Sequence, residues 1–207
     1  MSDLIFYTNP MSRGRIARWM LEEVGAPYET KVVGYGPGMN DPDYRALNPM
    51  AKVPTLVHGD TVVTEVAAIC CYLADAFAEA GLAPDTAHRG AYYRWMFFGA
   101  GPLEQAVVNA SFGWTTEDPR EQGRTGYGSL DRVTQTLDGH LSDGRSFFLG
   151  DTFSAVDVYV GSQIAWGLQF NSIPQTDSLA AYAARLMARP AALRAREKDD
   201  ALVPKEG

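Results

Sequence analysis

Pro54 stands directly ahead of the strand-like run Thr55-Leu56-Val57, within Asn48-Pro49-Met50-Ala51-Lys52-Val53-Pro54-Thr55-Leu56. Proline has no N–H to give to a ladder, so it marks a strand's first residue or a sheet edge. An X-Pro bond is also the one kind that takes the cis form cheaply. A cis Val53-Pro54 bond would turn the Val53 N–H and C=O toward a ligand rather than a neighbouring strand. Glu65 then falls where an apolar helical run opens, Ala67-Ala68-Ile69-Cys70-Cys71-Tyr72-Leu73. A helix start exposes unpaired N–H groups and attracts a carboxylate. This short region therefore offers a strand-like backbone edge, an anion site and a carboxylate acceptor for an ammonium. A small extended peptide carrying both charges suits it.

The surrounding pattern gives that region a scaffold. Leu4-Ile5-Phe6-Tyr7 reads as a buried strand broken by Thr8-Asn9-Pro10. Ile16, Trp19, Met20 and Val24 recur at helical spacing and stop at Gly25. Tyr28 to Val33 reads as a second strand, Gly34 to Asn40 as a loop and Asp43 to Leu47 as a short helix. Thr55-Val57 and Thr61-Val63 flank the hairpin signal His58-Gly59-Asp60. The order strand, helix, strand, helix, strand, strand, helix predicts parallel first strands with a closing hairpin. Beyond Phe77 strand signals nearly vanish. Tyr92 to Val108 is helical in spacing, with Gly101-Pro102 bending or interrupting it. Gly113 to Gly128 reads as a loop or a frayed helix start. Leu130, Val133, Leu137 and Leu141 mark another amphipathic face. Ser154-x-x-Asp157 opens an apolar run as a capping box, a structural device. Leu179 to Met187 reads as the last main helix before Pro190.

Composition narrows the function classes. Over 207 residues the formal charge is −7, which disfavours a general nucleic-acid binder and gives no reason to expect an acidic membrane surface as partner. The one basic cluster, Arg185, Arg189, Arg194, Arg196 and Lys198, reads as a solvated helix face. Cys70 and Cys71 are adjacent, so no disulfide framework and no Cys-x-x-Cys redox centre is expected. His58, His88 and His140 are scattered without metal-ligand spacing, and no metal is expected. No basic segment followed by an apolar core opens the chain, and no apolar run reaches membrane-spanning length. A cytoplasmic protein is the expectation.

The Lys52-Val53-Pro54-Thr55-Leu56 block with Glu65, in this order of elements, resembles the glutathione transferase family along nearly the whole chain. The resemblance implies an α/β plus all-α architecture: a thioredoxin-like glutathione-binding domain over 1–79, a linker over 80–89 and an all-helical domain over 90–207 carrying the electrophile site. It implies glutathione as co-substrate and a homodimer. Lys52 would meet a glutathione carboxylate, Val53 would pair by backbone with the cysteinyl unit after Pro54, and Glu65 would hold the γ-glutamyl ammonium. Family members usually carry Ser after this Glu; here Val66 stands there. The hydroxyl contact is lost while the helix N–H groups remain, so weaker glutathione binding is expected.

In that family the nucleophile is the thiol of glutathione. A free thiol has a pKa of roughly 8.5, and lowering it by about two units takes roughly 2.7 kcal/mol. One charge-assisted hydrogen bond supplies about 1.5–3 kcal/mol, and a helix N-terminus about 0.3–1. A single donor at the start of the first helix is therefore the right size of device. Ser12 has the hydroxyl, against its alternative role as a helix cap. Matching Arg13-Gly14-Arg15 to the family's Arg-Gly-Arg puts Asn9 in the slot of the catalytic tyrosine or serine; Asn9 offers an amide donor or forms a turn. Tyr7 ends a strand and reads as core. Arg13 and Arg15 add positive potential. No cysteine lies in this region, which argues against mixed-disulfide chemistry.

The acceptor site is expected where the helical domain faces Ser12, with Tyr92, Trp95, Met96, Phe98, Phe112 and Trp114 as candidate lining. The leading reading is conjugation of the glutathione thiolate to apolar electrophiles. The alternatives are glutathione-dependent disulfide or peroxide reduction, and a non-catalytic transferase-like module that binds a protein partner.

Overall fold

Leu4, Phe6 and Thr8 are buried while Ile5 and Tyr7 between them are partly covered, an alternation that suits β1 (Leu4–Thr8) as one of the two inner strands of a four-stranded sheet. A computed structural model describes residues 3–204. The sheet runs in the order β2-β1-β3-β4, with β2 (Glu29–Val32) parallel to β1, and β3 (Thr55–His58) and β4 (Thr61–Thr64) closing it as an antiparallel hairpin. Interleaved with the strands are α1 (Gly14–Val24), α2 (Pro42–Leu47) and α3 (Val66–Ala76). This is the thioredoxin-like layer expected from the order of elements. Its core is Leu4, Phe6 and Leu56 with Ile16, Met20, Ile69 and Leu73, all buried. Tyr7, on the alternate face of β1, joins a smaller cluster of Val33, Met39 and Tyr44, against which Ala51 and Val53 also pack.

The chain divides into two units between Leu82 and Ala83, and again between Ala188 and Arg189. The second unit, Ala83–Ala188, is helical: α4 (Gly90–Phe98), α5 (Glu104–Ser111), α6 (Pro119–Gln122), α7 (Leu130–Leu141), α8 (Ala155–Gln169) and α9 (Asp177–Met187). The break expected at Gly101-Pro102 is a wide π-type turn over Gly99–Leu103, with Pro102 inside it. At the start of α8 the capping box is complete. Asp157, fully buried, accepts from Ser154 N at 2.9 Å, Phe148 N at 2.8 Å and the Tyr182 hydroxyl at 2.7 Å. Burial pushes its carboxyl above the ordinary value, against the hydrogen bonds from Phe148, Tyr182 and Ser154.

One expectation is corrected at the C-terminus. Pro190 does not end the helical stretch; it sits in the first turn of a further helix, α10 (Pro190–Asp200), where its missing N–H has no partner to lose. This helix belongs to the first unit and packs along α1. Three of the basic residues expected on a solvated face also pair with α1, while Arg194 and Lys198 stay half-exposed. Arg189 pairs with Glu23 at 2.7 Å, and Arg194 and Lys198 with Glu22 at 3.2 and 2.5 Å. Beneath them Arg18 pairs with Asp199 at 2.7 Å, both side chains almost fully buried. The reason is the acidic pair on α1, which a reading of the C-terminal segment by itself does not see. Burial raises the Glu22 carboxyl, but hydrogen bonds from Lys198, Tyr28 and Arg194 outweigh it and hold the group below its ordinary value. Asp199 is lifted by burial despite Arg18.

Candidate active site

Sheet register brings three separated stretches to one end of the first unit. Tyr7 is paired with Thr55, and Thr55 with Thr64. The residues that leave the sheet just past these three are the turn after Thr8, the Val53-Pro54 bond ahead of β3 and Glu65 after β4. Sequence places Asn9 and Glu65 56 positions apart (65 − 9); the ladder makes them neighbours.

The first stretch is a tight turn from Asn9 to Ser12. Asn9 is buried, and its Nδ2 donates to Val33 O at 2.9 Å while its Oδ1 accepts from Met11 N at 2.9 Å. The Ser12 hydroxyl donates to Asn9 O at 2.7 Å and accepts from Gly14 N at 2.9 Å. Ser12 is half-buried and Arg13, not Ser12, holds the helix-cap position, without a side-chain bond of its own there. Arg15 fastens the same turn through Nε to Pro10 O at 2.5 Å, and its Nη1 reaches Asp200 at 2.8 Å. Gly14 has a packing reason to be glycine: a Cβ there would lie 2.0 Å from the buried Thr8 hydroxyl and 3.0 Å from Ser12 Oγ. Tyr7 turns to the other face, its ring 5.6 Å from that of Tyr44.

The second stretch is a loop held from behind. Asn48 Nδ2 donates to Lys52 O at 2.8 Å and to Thr55 Oγ1 at 3.1 Å, and Tyr44 donates to Lys52 O at 2.5 Å. The Val53-Pro54 bond is cis, as the proline ahead of a strand led one to expect. With the Lys52 carbonyl taken, the Val53 N–H and C=O make no hydrogen bond among the described residues. The Lys52 side chain is exposed. Tyr44 and Asn48 are the positioning residues that sequence reasoning missed; the Asx-type turn at Asn48-Pro49 was the available signal. Burial raises the Tyr44 hydroxyl above its ordinary value, opposed by hydrogen bonds with Thr55 and Asn48.

The third stretch is an open helix start. Glu65 takes the N-cap position of α3 with φ 64° and ψ 118°, and its side chain caps nothing. A non-glycine residue at positive φ is uncommon, and such outliers gather at ligand clamps. The first bond of α3 runs from Ile69 N to Glu65 O at 2.9 Å, so the N–H groups of Val66, Ala67 and Ala68 have no intrahelical acceptor. Val66 is 8% exposed and brings no hydroxyl to that start.

Of the candidates in the helical unit, Tyr92 and Met96 are buried with Trp95 in its core, and Phe98 is half-buried with its ring 5.2 Å from Trp95. Phe112 and Trp114 are different: they stack on each other at 4.8 Å and are 62% and 66% exposed. No cluster of three potential metal ligands occurs among the described residues.

A thioredoxin-like layer followed by a helical unit defines the class of fold, and comparison with known proteins places it in a family. Residues 11–76 match the family described as glutathione S-transferase, N-terminal domain. The glutathione S-transferase GST-4.5 of Xanthomonas campestris pv. campestris is 32% identical over 169 residues, 77% of this chain and 80% of that protein. The solved glutathione S-transferase from Xylella fastidiosa superposes with a TM-score of 0.78 at 26% identity, over 95% of this chain and 98% of that one. A theta class glutathione S-transferase from Xanthomonas axonopodis pv. citri, solved with glutathione bound, has a TM-score of 0.75 at 31% identity, covering 94% and 97%. The chain belongs to the glutathione S-transferase family and is an enzyme of that kind.

Proposed function

We propose that this enzyme binds glutathione at the common end of β1, β3 and β4 and conjugates its thiolate to apolar electrophiles. The observation that carries the reading is the convergence of an unpaired Val53 backbone, the Glu65 carboxylate and the open start of α3 at one sheet end. An extended peptide would pair with Val53, place an ammonium on Glu65 and a carboxylate on the α3 N–H groups, with Lys52 meeting a second carboxylate. Glutathione carries these groups, and the relative from Xanthomonas axonopodis was solved with it.

The thiolate needs a donor. The proton of Asn9 Nδ2 that reaches Val33 is committed to holding the turn. Ser12 is more readily diverted: rotation about its Cβ–Oγ bond swings the hydroxyl proton from Asn9 O toward a sulfur, and Oγ keeps the Gly14 N–H as a donor to it. That donated bond polarises the hydroxyl and strengthens it as a donor. Ser12 is therefore the thiolate donor, and Asn9 the residue that shapes its turn. Proximity then does the rest, since a bound thiolate beside a bound electrophile reacts at high effective concentration. Of the acceptor candidates in the helical unit, the stacked Phe112–Trp114 pair is a flat, exposed apolar face, whereas Tyr92 and Met96 support the core. Tyr93 and Phe97, one turn apart and exposed on α4, are the apolar pair we assign to a homodimer contact.

The test measures thiolate absorbance of bound glutathione, then turnover with chlorodinitrobenzene and with a hydroxyethyl disulfide. Thiolate formation with chlorodinitrobenzene turnover supports conjugation. Turnover with the disulfide alone replaces it by the reductase reading, and neither thiolate nor turnover overturns both.

A further inference from the structure

The loop between β2 and α2 is folded tightly on itself. Met39 N donates to Gly34 O at 3.1 Å, and Asn40 Nδ2 to Gly36 O at 2.9 Å. A Cβ at Gly38 would meet Gly34 O at 2.7 Å, so only glycine lets the two limbs approach. Met39 anchors the loop by burying itself in the cluster with Val33 and Tyr44. On this platform stands Tyr35, 57% exposed, whose hydroxyl donates to Met11 O at 2.9 Å. That carbonyl belongs to the peptide whose N–H is Ser12's. Among the described residues no other side chain donates to it.

The contact matters because of what Ser12 must give up. Its hydroxyl is one of the fastenings of the Asn9–Ser12 turn, and donating to a thiolate releases that fastening from Asn9 O. Asn9 and Arg15 still hold the turn at Val33 and Pro10, and Asn9 O still accepts from Ser12 N at 3.1 Å, but the carbonyl end of the Met11–Ser12 peptide is held only from Tyr35 among the described residues. We propose that Tyr35 is a positioning residue, clamping the Met11–Ser12 peptide from the solvent side so that the Ser12 hydroxyl keeps its aim when it turns to the thiolate. The inference rests on the assignment of Ser12 as thiolate donor.

Tyr35→Phe keeps the ring and removes only the hydroxyl. In the free protein, hydrogen exchange over residues 10–14 is expected to speed about three- to tenfold, the size of one neutral hydrogen bond. With glutathione, the bound thiol's apparent pKa is expected to rise and kcat to fall by a similar factor, while the Kd of S-methylglutathione, which has no thiol to ionise, stays unchanged. Tyr35→Leu is expected to behave like Tyr35→Phe in all three. Unchanged exchange at residues 10–14 overturns the clamp. So does a weaker S-methylglutathione Kd with an unchanged thiol pKa, which would make Tyr35 a ligand contact. If the unmodified enzyme forms no thiolate, the proposed reaction fails, and the exchange measurement alone decides the clamp.

Discussion

Two helix starts in this chain are built to opposite specifications. At α8, Ser154 and Asp157 close the start on itself, and Asp157 is filled by donors from Phe148, Ser154 and Tyr182. At α3, Glu65 holds a left-handed backbone conformation, its carboxylate caps nothing, and three N–H groups stay open. Both occur where an acidic residue meets an apolar helical run. The sealed start is a joint of the helical unit. The open one leaves its hydrogen-bonding capacity to something that is not part of the chain. An unsatisfied helix start is affordable only at a surface where water or a ligand completes it.

Substitutions break this contrast in graded ways. Asp157→Ala orphans several buried donors at about 1–3 kcal/mol each, with partial relaxation, so a loss of about 3–5 kcal/mol is expected in urea unfolding. The native fraction should still bind glutathione with unchanged Kd. Ser12→Ala removes one charge-assisted bond and should lower kcat about 10- to 100-fold, with about 0.5–1.5 kcal/mol lost from the fold through its two turn bonds; a full rate would reassign the donor. Glu65→Gln should weaken glutathione about tenfold in calorimetry, the scale of a hydrogen bond to a charged group, and leave the melting temperature in place because the carboxylate supports nothing in the fold. The contrast is sharpened by Val66→Ser, which adds a hydroxyl to the open start: tighter glutathione binding by a few-fold is expected, against about 1 kcal/mol of apolar burial lost in the free protein.

The smallest effect lies on the α1–α10 seam. A carboxyl depressed in the folded state stabilises above its unfolded pKa, and that contribution is lost as pH falls through the folded value. Glu22 is such a group. Glu22→Gln should therefore be less stable than the natural chain at pH 7 by about 1 kcal/mol or less, its partners Arg194 and Lys198 being half-exposed. The gap should narrow as pH falls from the ordinary glutamate value of about 4.3 and close once pH has passed through the depressed value of the folded chain. Asp199 is lifted and works in the opposite sense, its protonation on acidification relieving the fold. Denaturation midpoints from pH 3 to 7 check both signs.

Legibility in the sequence followed the range of the interaction. The strands, the hairpin at His58-Gly59-Asp60, the cis proline and the box at Ser154 are written in residues a few positions apart, and the observed elements match them. Helix α10 was missed as part of the first unit because Pro190-Ala-Ala-Leu-Arg-Ala-Arg carries little apolar stripe; its buried face is the small residues Ala191, Ala192 and Ala195, and its charged partners lie on α1, more than 160 positions away. Ser12 is the leading donor read from the sequence, with Asn9 second as an amide donor or turn former. The bond from Asn9 to Val33 commits one of the two amide protons of Asn9 to the turn, and no local pattern announces a partner 24 residues distant. The aromatic candidates divided for the same reason: helical spacing cannot tell Tyr92 and Met96, which are core, from Phe112 and Trp114, which are not.

By itself, the sequence determined the kind of layer this chain builds and the chemical groups available at Lys52, Val53, Pro54 and Glu65, because backbone dihedral preference, missing donors and periodicity are properties of neighbours along the chain. Only the tertiary structure decided which of those groups remain unspent. Hydrogen bonds are consumed across sheet register and between distant loops: Tyr44 and Asn48 take the Lys52 carbonyl and leave Val53 open, Val33 takes Asn9, and the pairing of Tyr7, Thr55 and Thr64 gathers the remainder at one end of the sheet.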